Sequence, residues 1–440
     1  MTFYPHVFVT TVLLMVLSPP VLAATLDDVA VATLPSGMKV IVREGHAVNL
    51  AAVDVWIKAG SVNETEANSG VSHFVEHMIF KATRKYGPGQ IDREIEGLGA
   101  ELNGGTSRDW AHFYTTVASE YLPAALEILA DAVTNAQFRP EDVERERGVI
   151  LDEIARADSD PSHRAFDLFS QTAFAVHPYK LCPVGAKDSV SRLTREDLVA
   201  YYDRYYVPAN VCVVIAGDIP KADAIALAGR AFAGFEGATQ PAADPPPEAP
   251  MASPRVWRFR LPTERAYIVV GYHVAAADFK EICALDVVLA LFGDTYRGRV
   301  PAALNTSGIG FDEIAVNFIT QRYATTFSVL VSVDPGDVDG AVPVLLAEFR
   351  RLVEERVPPD ELAQAKRLVE GGDLFEQETF SGQARALGLY DSIASSYDLA
   401  LKYGSTVRSV SDADIMAAVG KSFGEDNYCV VIIEPEPTSK

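Results

Sequence analysis

A diverged internal repeat restricts the fold of this 440-residue chain more than any other feature of its sequence. Six residues of the first copy have a similar residue 217 positions later: Thr194 and Ser411, Asp197 and Asp414, Leu198 and Ile415, Tyr206 and Phe423, Asn210 and Asn427, Cys212 and Cys429. Each copy passes from strand-like to helical segments. We therefore expect an α+β protein of two homologous domains, each a mostly antiparallel sheet covered by helices, which enclose a cavity.

A proline-rich segment separates the two copies and indicates the domain limits. Residues 236–254 contain six prolines together with many alanines, a composition that is typical of a stiff linker. The N-terminal domain is expected over residues 25–235 and the C-terminal domain over residues 255–440.

The first 24 residues are predicted to be a secretory signal peptide. Residues 7–17 form an almost unbroken apolar run, and small residues suited to cleavage follow it. The run is too short for stable membrane insertion. We therefore expect export, to the periplasm if the source is a Gram-negative bacterium.

Charge and cysteine content narrow the possible classes of function. A formal net charge of -22 disfavours nucleic acid as a partner and would attract cationic peptides. On charge alone, we prefer the simpler explanation that the acidic residues only keep the protein soluble. The four cysteines lack metal-type spacing, and Cys212 and Cys429 lie in apolar runs typical of buried strands.

One motif suggests a metal-binding site: His73-Phe74-Val75-Glu76-His77. If it is helical, the two histidines lie on one face, and Glu76 falls within about 100° of both. Two neutral imidazoles bind a metal such as zinc, while a free carboxylate beside them takes a proton from metal-bound water. A buried apolar helix with two hydrogen-bonded histidines is the alternative, and the motif does not supply the third ligand that a zinc site needs.

A second acidic segment, residues 141–154, differs between the two copies. Glu146 aligns with Ala365 and Glu153 aligns with Gly372, so the carboxylates occur in the copy that carries the histidines. Both glutamates lie on one face of the predicted helix, two turns apart. A solvated acidic helix with neighbouring arginines as partners is the alternative.

The sequence resembles the inverzincin metallopeptidases, the family of pitrilysin, insulysin and mitochondrial processing peptidase. The resemblance rests on residues 70–78, on residues 146–154, and on residues 177–179 with Gly185 after them. It extends over nearly the whole chain that follows the predicted signal peptide, because family members of this size also consist of two homologous domains.

The resemblance implies a zinc metalloendopeptidase that hydrolyses peptides or small unfolded proteins, and the predicted signal peptide implies that it is exported. It assigns His73, His77 and Glu153 as ligands of Zn²⁺ in the N-terminal domain, and it leaves the C-terminal domain without a metal site. Glu76 becomes the base that activates water, and Glu146 supports the site without binding the metal.

The resemblance also implies a peptide-binding role for Asn103, Gly104, Gly105 and Thr106, because family members bind an extended peptide along an edge strand in this region. Residues 101–117 alternate as a pair of strands around residues 103–107. A plain hairpin turn at these glycines is the alternative interpretation.

One departure from the family concerns the second domain. Active members carry an Arg and a Tyr seven residues apart, which hold the substrate carbonyl, whereas Asn305 and Phe311 occupy roughly those places here. The sequence therefore favours a heterodimer whose homologous partner supplies the Arg/Tyr pair. A homodimer of weak activity and a non-catalytic, zinc-containing assembly subunit are the alternatives.

Overall fold

The structure is a computed structural model that describes residues 28–237, 244–249, 251–275, 277–293 and 298–437. The predicted signal peptide and part of the predicted linker lie outside these residues. The described residues form two sheets with helices packed on them, which confirms the α+β fold of two similar halves.

The first sheet has six strands, in the spatial order β1-β2-β6-β3-β5-β4. Their bounds are β1 Val29–Thr33, β2 Lys39–Glu44, β3 Leu50–Ile57, β4 Leu102–Thr106, β5 Ala111–Ala118 and β6 Val211–Gly217. Neighbouring strands are antiparallel except β2 and β6, which are parallel. Strand β4 therefore lies at an edge of the sheet, with β5 on one side.

The second sheet has five strands, in the order β7-β11-β8-β10-β9. Their bounds are β7 Arg255–Leu261, β8 Ala266–Val274, β9 Phe311–Phe318, β10 Thr325–Val333 and β11 Tyr428–Pro435. Only β7 and β11 pair in parallel among these strands, so this sheet is also mostly antiparallel.

Helices follow the strands in both halves of the chain. In the first half they are α1 Val71–Ile79, α2 Gln90–Gly97, α3 Leu122–Asn135, α4 Pro140–Ser159, α5 Pro161–Ala173, α6 Lys187–Val190, α7 Arg195–Tyr205 and α8 Lys221–Ala231. In the second half they are α9 Phe279–Gly293, α10 Arg299–Thr306, α11 Val338–Glu354, α12 Pro359–Gln377, α13 Phe380–Ala394, α14 Asp398–Ser409 and α15 Asp412–Ser422.

The repeat in the sequence is also a repeat of hydrogen bonds. Thr194 caps α7 and Ser411 caps α15, each in a capping box with the aspartate three residues later. The matched asparagines donate equivalent bonds of 2.9 Å after these helices, from Asn210 Nδ2 to Tyr205 O and from Asn427 Nδ2 to Ser422 O. Matched residues therefore make the same local contacts in both copies.

Each half supplies a helix that covers the sheet of the other half. Helix α5 packs on β8 and β11 of the second sheet, and α13 packs on β3 and β6 of the first. Helix α13 approaches the first sheet closely at Gly388, where a Cβ atom would stand 2.1 Å from Trp56 Nε1. Asp391 on the same helix is fully buried and forms ion pairs with Lys39 and Lys58 of the first half. The two halves are therefore joined by the apolar packing of these helices and by the ion pairs of Asp391.

The alternative interpretation of residues 103–107 as a hairpin turn is wrong. The structure places Asn103 to Thr106 in β4, and the chain turns at residues 107–110. Tertiary contacts hold this turn: Ser107 O accepts a hydrogen bond from Ser61 N, and Asp109 accepts one from Tyr179 OH. The two glycines therefore belong to an edge strand, where they leave the backbone uncovered.

Candidate active site

Helix α1 carries the histidine motif, and a buried carboxylate stabilises its first turn. Gly70 precedes the helix in a left-handed conformation, with φ of 93°. The Glu64 carboxylate accepts hydrogen bonds from Gly70 N at 2.8 Å and Ser72 N at 2.9 Å. These bonds satisfy N–H groups that lack a partner inside the helix.

The glycine that follows the His-Pro-Tyr segment helps to position this helix. A Cβ atom on Gly185 would lie 2.5 Å from Gly70 Cα, so the two backbones approach closely only without side chains. Both glycines have positive φ, at 95° and 93°. Residues that are far apart in sequence therefore fix the start of the helix that carries the histidines.

The structure brings the three predicted metal ligands together. One ligand atom each from His73, His77 and Glu153 lies within 4.8 Å of the others. Glu153 Oε2 lies 3.9 Å from His73 Nε2 and 3.7 Å from His77 Nε2. The histidines come from α1, and Glu153 comes from α4, which packs against α1. No second group of this kind occurs among the residues that the structure describes.

The donor set fits a divalent metal such as zinc. His73 is only 8 % exposed, and burial, followed by the nearby charge of His77, lowers its pKa to about 3, although the Val184 carbonyl opposes this shift. The imidazole is therefore neutral and has a free lone pair over a wide range of pH, as a metal ligand requires. The side chain of Glu153 is 44 % exposed, so this face of the site remains accessible.

Glu76 lies beside the ligand cluster but is not part of it. Its Oε2 atom lies 3.9 Å from His73 Nε2 and accepts a hydrogen bond of 3.0 Å from Thr106 Oγ1. Burial raises the pKa of Glu76, and the nearby His77 imidazole opposes that shift. A carboxylate held in this way is available as a proton acceptor.

Glu146 lies behind His77, on the same helix as Glu153. Its Oε2 atom is 3.4 Å from His77 Nδ1 and 3.0 Å from Lys81 Nζ. Burial opposes its ionisation, but the hydrogen bonds with His77 and Lys81 outweigh this effect and lower the pKa of Glu146. Glu146 therefore orients His77 through the nitrogen that faces away from Glu153.

The contacts of α4 differ from the alternative interpretation of this segment as a solvated acidic helix whose arginines pair with the two site glutamates. The neighbouring arginines do not contact the two site glutamates, because Arg145 pairs with Asp142 and Arg147 pairs with Glu144. Sequence analysis also missed Lys81, which lies in the turn after the last residue of α1, Ile79, where helix spacing does not place a side chain.

The predicted peptide-binding residues lie along β4, next to Glu76. Gly104 faces the motif helix, because a Cβ atom there would lie 3.2 Å from Glu76 Oε1. Gly105 faces the opposite side of the sheet, where His112 lies. The outer edge of β4 presents backbone N–H and C=O groups, the kind of edge to which an extended peptide can add as a further strand.

The two residues in place of the family's Arg/Tyr pair lie in the second half. Asn305 is exposed near the end of α10, and Phe311 is the first residue of β9. Neither side chain carries a cation or a hydroxyl group. Within the described part of the chain, no helix is both long enough and apolar enough to cross a lipid bilayer.

Comparison with known proteins agrees with this site. A family model described as Insulinase (Peptidase family M16) matches residues 39–184, and one described as Peptidase M16 inactive domain matches residues 192–369. An uncharacterized zinc protease of Streptomyces coelicolor is 27% identical over 81% of this chain and 79% of its own length. The mitochondrial-processing peptidase subunit beta of Rattus norvegicus is 34% identical over 48% of this chain and 42% of its own.

A solved structure supports the fold independently. A protease from Helicobacter pylori superimposes with a TM-score of 0.86 at 21% identity, over 92% of this chain and 99% of its own. At that identity the likeness concerns the fold alone. The two family models cover most of the chain and include all of the residues gathered at the site. The chain therefore belongs to the M16 peptidase family.

Proposed function

We propose that this protein is a zinc-dependent endopeptidase that cleaves peptides or small unfolded proteins. The observation that carries the proposal is the position of Glu76, a free carboxylate 3.9 Å from His73 and bonded to the edge strand through Thr106. His73, His77 and Glu153 would hold the metal. Zinc bound there supplies a Lewis acid and lowers the pKa of water.

The chain's own residues then have distinct tasks. A peptide that pairs with β4 is held next to Glu76, and its backbone is recognised irrespective of sequence. Glu76 takes the proton of the attacking water and passes it to the amine that leaves. Glu146 keeps His77 in the orientation that points Nε2 towards Glu153.

Three protein ligands favour a catalytic over a structural metal. Structural zinc is normally closed by four protein ligands, whereas catalytic zinc has three and an open position. The alternative function, a non-catalytic zinc-containing assembly subunit, does not require a free carboxylate beside the metal. A Glu76→Gln variant separates the two: we expect zinc content to stay equal while cleavage falls by at least 100-fold.

We also propose that the active form is a heterodimer. Asn305 and Phe311 lack the donors of the family's Arg/Tyr pair, and losing one such donor costs about 3 kcal/mol of transition-state stabilisation. A homologous chain that carries the pair would supply these donors. That a relative of this chain is named a beta subunit agrees with such an arrangement.

Export and a preference for basic substrates complete the proposal. The apolar segment at residues 7–17 supports secretion to the periplasm of a Gram-negative source. The net charge of -22 favours cationic segments of a substrate. Cleavage of basic peptides should fall more steeply with ionic strength than cleavage of neutral ones, and an equal response would contradict this preference.

The main experiment compares the purified chain alone with a mixture that contains a co-purifying homologue bearing an Arg and a Tyr seven residues apart. Peptide cleavage and zinc content are measured in each sample. Activity only in the mixture, at equal zinc, would support the heterodimer. Full activity of the chain alone would exclude it, and no activity in either sample, at full zinc, would favour the non-catalytic alternative.

A further inference from the structure

The face of β4 that points away from Glu76 has a gap at Gly105. Gly105 pairs directly with His112 on β5, and a Cβ atom on Gly105 would lie 3.4 Å from His112 Nε2. Paired residues of neighbouring strands place their side chains beside each other on the same face. A peptide strand beyond β4 therefore meets His112 across this glycine, with no side chain between.

A buried carboxylate fixes the orientation of His112. Its Nδ1 atom lies 3.1 and 3.2 Å from the two carboxylate oxygens of Asp54. Asp54 is 3 % exposed and His112 is 7 % exposed. In the tautomer whose Nδ1–H donates to Asp54, Nε2 carries the lone pair and is the acceptor on the Gly105 side of the ring. The ring of Tyr114 stacks on the imidazole at 4.9 Å, which further restricts its rotation.

A cavity of about 460 Å³ lies on this face of the sheet, between β3 and β5 on one side and α12 and α13 on the other. Asp54, His112 and Tyr114 form its floor, and Phe375 and Glu376 belong to its opposite wall. Phe375 is 73 % exposed, an unusual position for a large apolar side chain. The cavity thus combines an aromatic surface with a polar acceptor and carboxylates.

Among the described residues that line this cavity, one side chain is permanently cationic, and it is already paired. Arg385 binds Glu376 through two hydrogen bonds, of 2.7 Å from Nε and 2.5 Å from Nη2. Asp54, bonded to His112, adds a second acidic side chain to the lining. An acidic side chain would be repelled there, and a purely apolar one would leave the His112 acceptor without a partner.

We propose that this cavity is the subsite for the substrate side chain opposite Gly105, and that it selects lysine or arginine. The inference rests on the proposed function, because it requires a peptide on β4. Neighbouring strands lie about 4.8 Å apart, so only a long side chain crosses Gly105 and reaches His112 Nε2. Its cationic end donates to Nε2, and its aliphatic stem packs on the aromatic wall.

The test measures binding, so that it does not depend on cleavage. Extended nonapeptides with Lys, Leu or Glu at one scanned position in an Ala/Ser background are titrated into the zinc-loaded Glu76→Gln protein. A salt concentration of about 0.3 M suppresses the general attraction of cations to an acidic protein. We expect one position at which the Lys peptide binds at least tenfold more tightly than the Leu and Glu peptides.

Two variants assign that preference to the subsite. Gly105→Leu fills the gap and His112→Phe removes the acceptor, so in each variant the ratio of Lys-peptide to Leu-peptide affinity should fall to less than twofold, whatever the change in affinity for the all-Ala/Ser peptide. His46→Phe is the matched control. His46 also pairs with an aspartate, Asp218 at 2.5 Å, but it follows β2, which lies near the edge of the sheet opposite to β4.

The possible results are distinguishable. A Leu or Glu preference, or a Lys preference that survives Gly105→Leu, would overturn the subsite. If His112→Phe fails to fold, Gly105→Leu in the edge strand β4 still decides. Tight, Lys-selective binding without cleavage by the unsubstituted protein and its partner would contradict the proposed function but support the subsite.

Discussion

Thr106 Oγ1 donates a hydrogen bond of 3.0 Å to Glu76 Oε2, and this bond connects the edge strand to the helix that carries the histidines. Thr106 and Gly104 lie on the same face of β4, and the absent side chain of Gly104 leaves room for the Glu76 carboxylate. The strand proposed to bind the peptide thus also holds the group proposed to move the proton.

The Thr106 bond leads to a prediction about catalysis. Thr106→Val keeps the shape of the side chain but removes the donor, so Glu76 should lose its fixed orientation. We expect kcat to fall about tenfold, the effect of losing one hydrogen bond to a charged group. Zinc content and KM should stay within twofold, and Thr106→Ser should restore most of kcat. A higher KM with unchanged kcat would contradict this role.

Glu146 should control metal affinity through His77. Glu146→Gln weakens the polarisation of the imidazole, and loss of such an outer partner typically lowers metal affinity 10- to 100-fold. Competition with a chelator would measure the change. Glu144→Gln is the matched control, because Glu144 lies on the same helix but is exposed and pairs with Arg147. Equal zinc affinities in both variants would contradict the assignment of Glu146.

Asp391 should dominate the charge contacts between the two halves. Its carboxylate is fully buried, so Asp391→Asn leaves Lys39 and Lys58 without their partner in a partly desolvated position. Breaking a buried ion pair on one side costs about 3 to 5 kcal/mol. Urea unfolding would measure the loss, with Asp398→Asn as the control, because the side chains of the Asp398 pair with Lys402 are 26 % and 52 % exposed. A loss below about 1 kcal/mol would show that packing alone joins the halves.

Glu64 should make the stability of the metal-free protein depend on pH. Burial raises the pKa of Glu64 from 4.5 to about 7, and the hydrogen bonds from Ser72 and Gly70 only partly oppose this shift. Between these values the folded state binds more protons than the unfolded state, so the free energy of unfolding falls as the pH rises, by up to about 3 kcal/mol.

Glu64→Gln should remove that part of the pH dependence, as measured by urea unfolding at pH 5 and pH 8 in the presence of a chelator. Glu66→Gln is the control, because Glu66 is exposed and pairs with Lys180 at the surface. If the Glu64→Gln and unsubstituted proteins lose stability in parallel, the carboxylate is ionised in the folded protein throughout this range.

Local patterns in the sequence were sufficient to predict several of these features. The four-residue spacing of His73 and His77 places both on one face of any helix, and the structure contains that helix. The repeat predicted two similar halves, and equivalent hydrogen bonds occur in both. The different acidity of the two copies pointed to Glu146 and Glu153, and the family resemblance suggested their separate roles.

Other features depend on which segments meet in space. Two glycines in succession resembled a turn, but the turn lies at residues 107–110 because contacts with other parts of the chain hold it. Asp54 and His112 are 58 residues apart, and their contact depends on the pairing of β3 with β5. No spacing rule relates such residues, because register is set by burial of a whole sheet face.

Periodicity and internal comparison are local properties of the chain, and they indicate the helix face with two histidines, the two-copy plan and the candidate carboxylates. The position of Glu153 beside the histidines, the bond from Thr106 to Glu76, and the packing of α5 and α13 on the sheets of the opposite halves depend on tertiary contacts. These contacts join residues far apart in sequence, and their geometry follows from the packing of helices and sheets around buried side chains.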